Sequence, residues 1–421
     1  MKFGKDRMLQ DSGILFLLNM FASLLNYVCQ LLLAKVLSVE GFGTINTIFS
    51  FLLIVGVPGT TLTMVVAKKY AEKNDSFGVE ERKTYIGTLI KYLLIAGAVL
   101  FVIGLFFSKL LKVVLAIDDM IVLGLALFLG ALGFFQPTFS GVFSGNKRFV
   151  LVGIYSLCIP LYKIASIFFG RIISKDDTTR LYIILLFMVL GTIAVAGYGY
   201  KKTKHILGEV SLFSKERVEF SITKEEINIL IINIGLMVYM NVDLLLVRFY
   251  GAPEESGLYS AVLLFGRVIY YFSTTLGTIL LPKVAAQKDN SKEITKLLGR
   301  TIGLLLLFAM LSVIAIYVFG PLALKILFGA EYIGAQKYFF YVVMISISLS
   351  ICTVLINYLV AIENTTYAMV TLIVMNLFIF IFAIFVSRIE ILLSFVVIVG
   401  VLGTTILALL AHGSCLRNRT V

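Results

Sequence analysis

Residues 241–289 read NVDLLLVRFYGAPEESGLYSAVLLFGRVIYYFSTTLGTILLPKVAAQKD. Two long apolar runs flank a short acidic turn at 251–257, which leaves no room for a domain between them. Extended to its natural ends, each run is about 25 residues long, enough to cross a hydrocarbon core of about 30 Å as a helix. Asp243 and Arg267 lie inside those runs. A charge at that depth costs about 2.5–3.5 kcal/mol on insertion scales, so such residues usually face a partner or a wet cavity.

The same pattern fills the rest of the chain. Of 421 residues, 60% are hydrophobic and 14% charged, with a mean hydropathy of +1.01. A soluble domain of this length could not cover so much apolar surface. Twelve spans are predicted, at about 13–37, 42–67, 84–107, 119–145, 149–172, 181–200, 226–250, 256–282, 297–319, 333–361, 367–387 and 391–412. A β-barrel is excluded, because its strands would alternate apolar and polar in segments of about 10 residues. Trp is absent, so the interfacial aromatic role falls to Tyr and Phe.

The formal charge of +12 could suggest nucleic acid, but its distribution does not. About 23 of the Lys and Arg fall in segments on one side of the spans and about 10 on the other, which is the positive-inside bias. That side is therefore the cytoplasm, and an even number of spans places both termini there. Cys29, Cys158, Cys352 and Cys415 lie singly, with neither metal nor disulfide spacing. The basic start leads into a long apolar run without a small-residue cleavage site, and reads as a retained first helix. His205 and His412 both fall on the cytoplasmic side and suggest no acid–base chemistry. The outer loops are short, which speaks against a membrane glycan polymerase. No enzyme activity, metal or cofactor is expected.

The polar segment at 201–224 divides the chain into an N-terminal half at 1–205, a cytoplasmic linker at 206–223 and a C-terminal half at 224–421. The halves repeat. A shift of about 213–214 residues brings Gly43 onto Gly257, Phe51 onto Phe265, Thr60-Thr61-Leu62 onto Thr274-Thr275-Leu276, and Lys69, Ala71 and Asp75 onto Lys283, Ala285 and Asp289. Gln30 falls on Asp243 and Lys35 on Arg248; later Asn146 matches Asn364 and Phe149 matches Tyr367. The fold class is an all-α membrane protein, with twelve transmembrane helices in two pseudo-symmetric six-helix bundles around a central cavity.

Three cations remain inside the spans: Lys91, Lys163 and Arg267. Lys91 is near a helix end and can snorkel. Lys163 and Arg267 fall near the midplane, one from each half, at 1.5 Å of rise per residue. Together they would form an anion site, Arg267 holding two phosphate oxygens at once. The competing reading pairs Arg267 with Asp243 structurally and gives Lys163 a backbone carbonyl. Asp243 likewise has two readings, as the holder of a coupling Na⁺ or proton or as a partner of Arg267 or Arg248. Lys35 and Arg248 sit at equivalent outer helix ends, where headgroup anchoring is the default. Pro58, Pro137, Pro160 and Pro282 are expected to break their helices.

These elements resemble the polysaccharide-transporter family, in the flippase superfamily that also holds the multidrug and toxin exporters. The resemblance is carried by Asp243 and Arg248, then Gly251-Ala252-Pro253-Glu254-Glu255, Gly257-Leu258-Tyr259-Ser260 and Leu281-Pro282. Phe42-Gly43-Thr44 and Phe328-Gly329-Ala330-Glu331-Tyr332 add to it. It implies a bacterial plasma-membrane flippase for oligosaccharide on a polyprenyl (undecaprenyl) diphosphate, serving O-antigen, lipopolysaccharide or related surface polysaccharide. The diphosphate would meet Arg267 and Lys163, with Lys35 and Arg248 as outer contacts. Membrane lipids, a coupling Na⁺ or proton at Asp243 and a polysaccharide polymerase are the other partners implied. The rival within the superfamily is a cation-coupled exporter of drugs or metabolites, although cationic drugs would favour a more acidic interior.

Overall fold

A chain this apolar can satisfy its backbone inside a bilayer only by closing hydrogen bonds within helices. The computed structural model describes residues 2–61, 79–134, 136–208, 223–285 and 291–417, and they contain no strand. The N-terminal helices are α1 (Lys2–Val36), α2 (Val39–Val55), α3 (Val79–Phe106), α4 (Ser108–Leu115), α5 (Met120–Gly133), α6 (Gln136–Gly145), α7 (Phe149–Ile173) and α8 (Asp177–Leu207). The C-terminal helices are α9 (Lys224–Tyr250), α10 (Pro253–Ala285), α11 (Ser291–Leu327), α12 (Phe339–Ala361), α13 (Thr365–Phe385) and α14 (Ile389–Arg417). A 3₁₀ segment, Ala330–Tyr338, leads into α12.

Among the described residues, ten helical stretches are long and apolar enough to cross a membrane. The expected spans at 42–67 and 256–282 are not among the ten. The first is described only to residue 61, with α2 as a shorter apolar helix. The second coincides with α10, some of whose side chains lie outside those described. The basic loop after residue 61, most of the 206–223 linker and the repeat positions Leu62, Lys69, Ala71, Asp75 and Asp289 lie outside the described residues.

The helix ends follow from local chemistry. Ser38 caps α2 by accepting from the Gly41 amide, and Asp119 caps α5 through the amides of Ile121 and Val122. Thr223 and Glu226 form a reciprocal capping box at the start of α9. α5 ends at Gly133 and α6 begins at Gln136, just before Pro137, with residue 135 between them outside the described residues. Pro160 is accommodated inside α7, and backbone helix continues past Pro282 to Ala285. Neither breaks its helix as expected, since packing and side-chain hydroxyls can absorb a proline within a membrane helix.

The chain divides into two compact units, Met1–Gly41 with Phe51–Ile222, and Phe42–Ser50 with Thr223–Val421. Within the first, α1 packs on α7, α7 on α8, α8 on α5 and α5 on α3. Within the second, the equivalent helices make the equivalent pairs: α9 on α13, α13 on α14, α14 on α12 and α12 on α11. The turns that the repeat aligns near Asn146 and Asn364 each carry a non-glycine residue with positive φ, Lys147 and Glu363. Asp177, at the start of α8, secures the α1–α2 turn by accepting from the Ser38 amide (3.0 Å) and hydroxyl (2.5 Å). Arg180 adds a bond to the Val36 carbonyl, fixing the end of α1.

The short stretch Phe42–Ser50 belongs with the second unit for a visible reason. The Phe42 ring is fully buried against Phe328 (centroids 6.3 Å apart) and edge-on to Tyr332 (5.9 Å). A Cβ on Gly43 would lie against the Ser256 hydroxyl and 2.6 Å from the Gly257 nitrogen. Three of the sequence motifs, at 42–44, 252–260 and 328–332, thus meet in one close-packed joint.

Candidate functional site

The second unit holds the better-defined polar group. Asp243 faces inward from α9 and is 1% exposed. Its Oδ2 accepts from the Tyr259 hydroxyl of α10 at 2.7 Å, and its Oδ1 accepts from the Leu244 amide at 2.8 Å. Tyr259, the tyrosine of the Gly-Leu-Tyr-Ser motif, is itself fully buried. One turn earlier on α9, Tyr239 and Ser348 share a hydrogen bond of 2.5 Å. Asn241 donates to the Met237 carbonyl at 2.8 Å, while its side-chain oxygen is buried without a protein partner.

Arg267 lies 14 residues beyond the start of α10, about 21 Å along the helix axis. It is within electrostatic reach of Asp243, yet the two form no ion pair. Its Nε is buried and has no protein partner. The structural bridge between Arg267 and Asp243 is therefore not made in this arrangement. Each group is oriented separately, and the guanidinium retains a donor to offer.

Arg248 is placed differently from expectation. Headgroup anchoring needs an exposed guanidinium, and this one is 5% exposed. It donates to the Pro253 carbonyl (3.1 Å) and the Ser256 hydroxyl (3.2 Å) across the α9–α10 turn. A buried charge-assisted contact of this kind satisfies the arginine where it stands. Its repeat counterpart, Lys35, is exposed at the end of α1, in keeping with headgroup anchoring.

The first unit gathers a smaller group. Lys163 of α7 lies beside Cys29 of α1, which is 2% exposed. The neighbouring Tyr162 hydroxyl accepts from Thr192 of α8 at 3.2 Å. The Gln30 side-chain oxygen is buried without a protein partner, at the position that the repeat aligns with Asp243. Lys163 and Arg267 belong to different units.

Glu255, in the first turn of α10, was missed at the level of sequence. It accepts from Lys337 at 2.8 Å and from the Tyr338 hydroxyl, both on the 3₁₀ segment. The Tyr338 ring stands edge-on to that of Tyr259, with centroids 5.2 Å apart. The motif 252–260 hinted at this: Glu255 and Tyr259 lie four residues apart, one turn along a single helix face. Among the described residues, no group of three or more His, Cys, Asp or Glu could hold a metal ion.

Comparison with known proteins agrees with this architecture. Residues 215–337 match the model of a family described as polysaccharide biosynthesis protein. No curated protein matches the chain. The inward-facing structure of a multidrug resistance MATE family transporter of the MOP superfamily is similar, with a TM-score of 0.72, 12% identity, and coverage of 97% of this chain and 99% of that one. The lipid II flippase MurJ in an inward closed conformation is similar at a TM-score of 0.66 and 16% identity, covering 93% and 86%. A third is a MOP superfamily transporter from Pyrococcus furiosus whose reversed binding-pocket polarity is said to suggest a different function (TM-score 0.62, 12% identity, 98% and 96% covered). This chain thus has the fold of the MOP-superfamily transporters and flippases, and its central segment carries the sequence signature of polysaccharide biosynthesis proteins.

Proposed function

We propose that the protein moves a polyprenyl-diphosphate-linked oligosaccharide from the cytoplasmic to the outer face of a bacterial plasma membrane. Sugars and diphosphate would cross while the polyprenyl tail stays in lipid. Both termini face the cytoplasm in this reading, following the distribution of Lys and Arg. One observation carries it: Arg267, deep in α10, is not consumed by Asp243 and keeps a buried donor without a partner. A diphosphate is the kind of ligand that satisfies such a group, with charge-assisted bonds worth about 1.5–3 kcal/mol each. The family match spans Asp243, Arg248 and Arg267, and supports a polysaccharide precursor over a cationic drug.

Lys163 is the intramembrane cation of the first unit, and Lys35 an exposed contact for headgroup or diphosphate at the outer end. Arg248 keeps the turn between α9 and α10 in place, so its contribution to binding is through Ser256 and Pro253. Asp243 is the site of the coupling ion. No bond of the substrate changes, so the protein is a transporter and not an enzyme.

The test is a set of Arg267 and Asp243 variants in reconstituted vesicles, scored for both transport and thermal stability. Arg267→Ala should abolish transport and leave the fold intact. Arg267→Lys should restore only part, since a point charge replaces a two-pronged donor. Rescue of transport in an Arg267→Ala, Asp243→Asn double variant would instead mark the two as a structural couple and remove Arg267 from the binding site.

A further inference from the structure

Asp243 lies about 11 Å along α9 from its end at Tyr250, fully covered by protein. If it exchanges an ion, that ion needs a route. The 252–260 motif and the 3₁₀ segment after α11 provide one. Glu255 is 23% exposed, at the same helix end as Tyr250. It is held by the ammonium of Lys337, which is 50% exposed, and by the buried Tyr338 hydroxyl. Tyr338 stands edge-on against Tyr259, and Tyr259 donates to Asp243. Two carboxylates, one at the surface and one buried, are therefore separated by two phenols.

We infer that Glu255 is the relay acid through which protons reach Asp243, with the hydroxyls of Tyr338 and Tyr259 between them. The inference rests on the coupling role proposed above for Asp243 and names its ion. Both oxygens of Asp243 already accept a hydrogen, from Tyr259 and from the Leu244 amide. That arrangement suits a carboxylate that takes up and releases a proton, and it turns hydrogens toward any metal cation that would approach.

The transfer balances as follows. Glu255 takes a proton from outer solvent, the Tyr338 hydroxyl that donated to it turns toward Tyr259, and Glu255 then passes its proton to the Tyr338 oxygen. The proton of Tyr338 moves to Tyr259 across one bridging water molecule, and that of Tyr259 goes to Asp243 Oδ2. Both phenols end neutral: Tyr338 donates to Glu255 as before, the Tyr259 hydroxyl is turned away from Asp243, and one proton has moved from solvent to Asp243. The charged and titratable groups around the route are few. Arg267 on α10 and Tyr239 on α9 face the Asp243 end. Lys337, Glu390 of α14 and Tyr341 of α12 face the Glu255–Tyr338 end. Lys337 pairs with Glu255 at 2.8 Å and lies 5.0 Å from the Tyr338 ring centroid.

The experiment follows the carboxyl infrared band of Asp243, assigned by its loss in Asp243→Asn, after rapid acidification of vesicles containing the full chain. Wild type should gain the band promptly. Glu255→Gln, which keeps an acceptor for Tyr338, and Tyr338→Phe should each slow its appearance by about tenfold or more. The final amplitude should be unchanged. Formate, a small acid able to replace the missing carboxyl, should restore the rate in Glu255→Gln, which a purely structural glutamate would not allow. Wild-type rates in both variants, with the band still lost in Asp243→Asn, would overturn the relay and leave the coupling role standing. A band that never titrates where transport is active would overturn both.

Discussion

Gly43 has no space for a side chain, because the Ser256 hydroxyl and the Gly257 nitrogen occupy it. Gly43→Ala should lower stability by about 1–3 kcal/mol, the usual penalty for overpacking, read as a lower Tm in detergent. Gly124→Ala, with nothing within 4 Å, should be neutral or slightly stabilising. Tyr259→Phe removes the hydroxyl bond to a buried carboxylate oxygen and should cost about 1–3 kcal/mol. Single residues were only partly legible in the sequence. The intramembrane positions of Asp243 and Arg267 could be read, because an apolar run makes a charge conspicuous. The partners could not: Tyr259 is 16 positions from Asp243, and Arg248 is buried by a turn that folds back onto it. Glu255 looked like one more acid in an exposed turn until the 3₁₀ segment came against it.

Helices were the most legible level, because membrane thickness fixes their length and hydropathy marks their limits. What hydropathy misses is the short piece. The eight-residue α4 lies between two spans and was absorbed into their connection. The next helix, α5, begins at Asp119. Partial burial pushes that carboxyl up, but the bonds from Tyr182 and from the Val122 and Ile121 amides outweigh it and hold it below the usual carboxylate range. A lowered native value means that the cap stabilises fully above the unfolded carboxylate range and fades as pH falls through the native value. Asp119→Ala should therefore cost about 1 kcal/mol at neutral pH. The gap to wild type should shrink below about pH 4 in chemical denaturation. Substitution of the exposed Asp118 should change stability by no more than about 0.5 kcal/mol at neutral pH.

Four helix pairings recur in the two halves, in keeping with the repeat read from a handful of matched residues. The sequence divided the chain at its polar centre. It could not assign Phe42–Ser50 to the second unit, since that follows from aromatic packing around Phe328 and Tyr332. The orientation proposed here is testable by labelling. Cysteines replacing Asp176 or Glu254 should react with an impermeant thiol reagent added outside intact cells, and one replacing Lys204, at the other end of α8, should not. The reverse pattern would invert the topology and with it the direction of transport. The central claim is tested most directly by reconstituting the pure protein in vesicles with a fluorescent polyprenyl-diphosphate oligosaccharide and adding an impermeant glycosidase. The account predicts that sugar initially protected inside becomes cleavable at a rate that depends on the protein and is lost in Arg267→Ala. Protection equal to that in protein-free vesicles, together with extrusion of an amphiphilic cation such as ethidium, would contradict it.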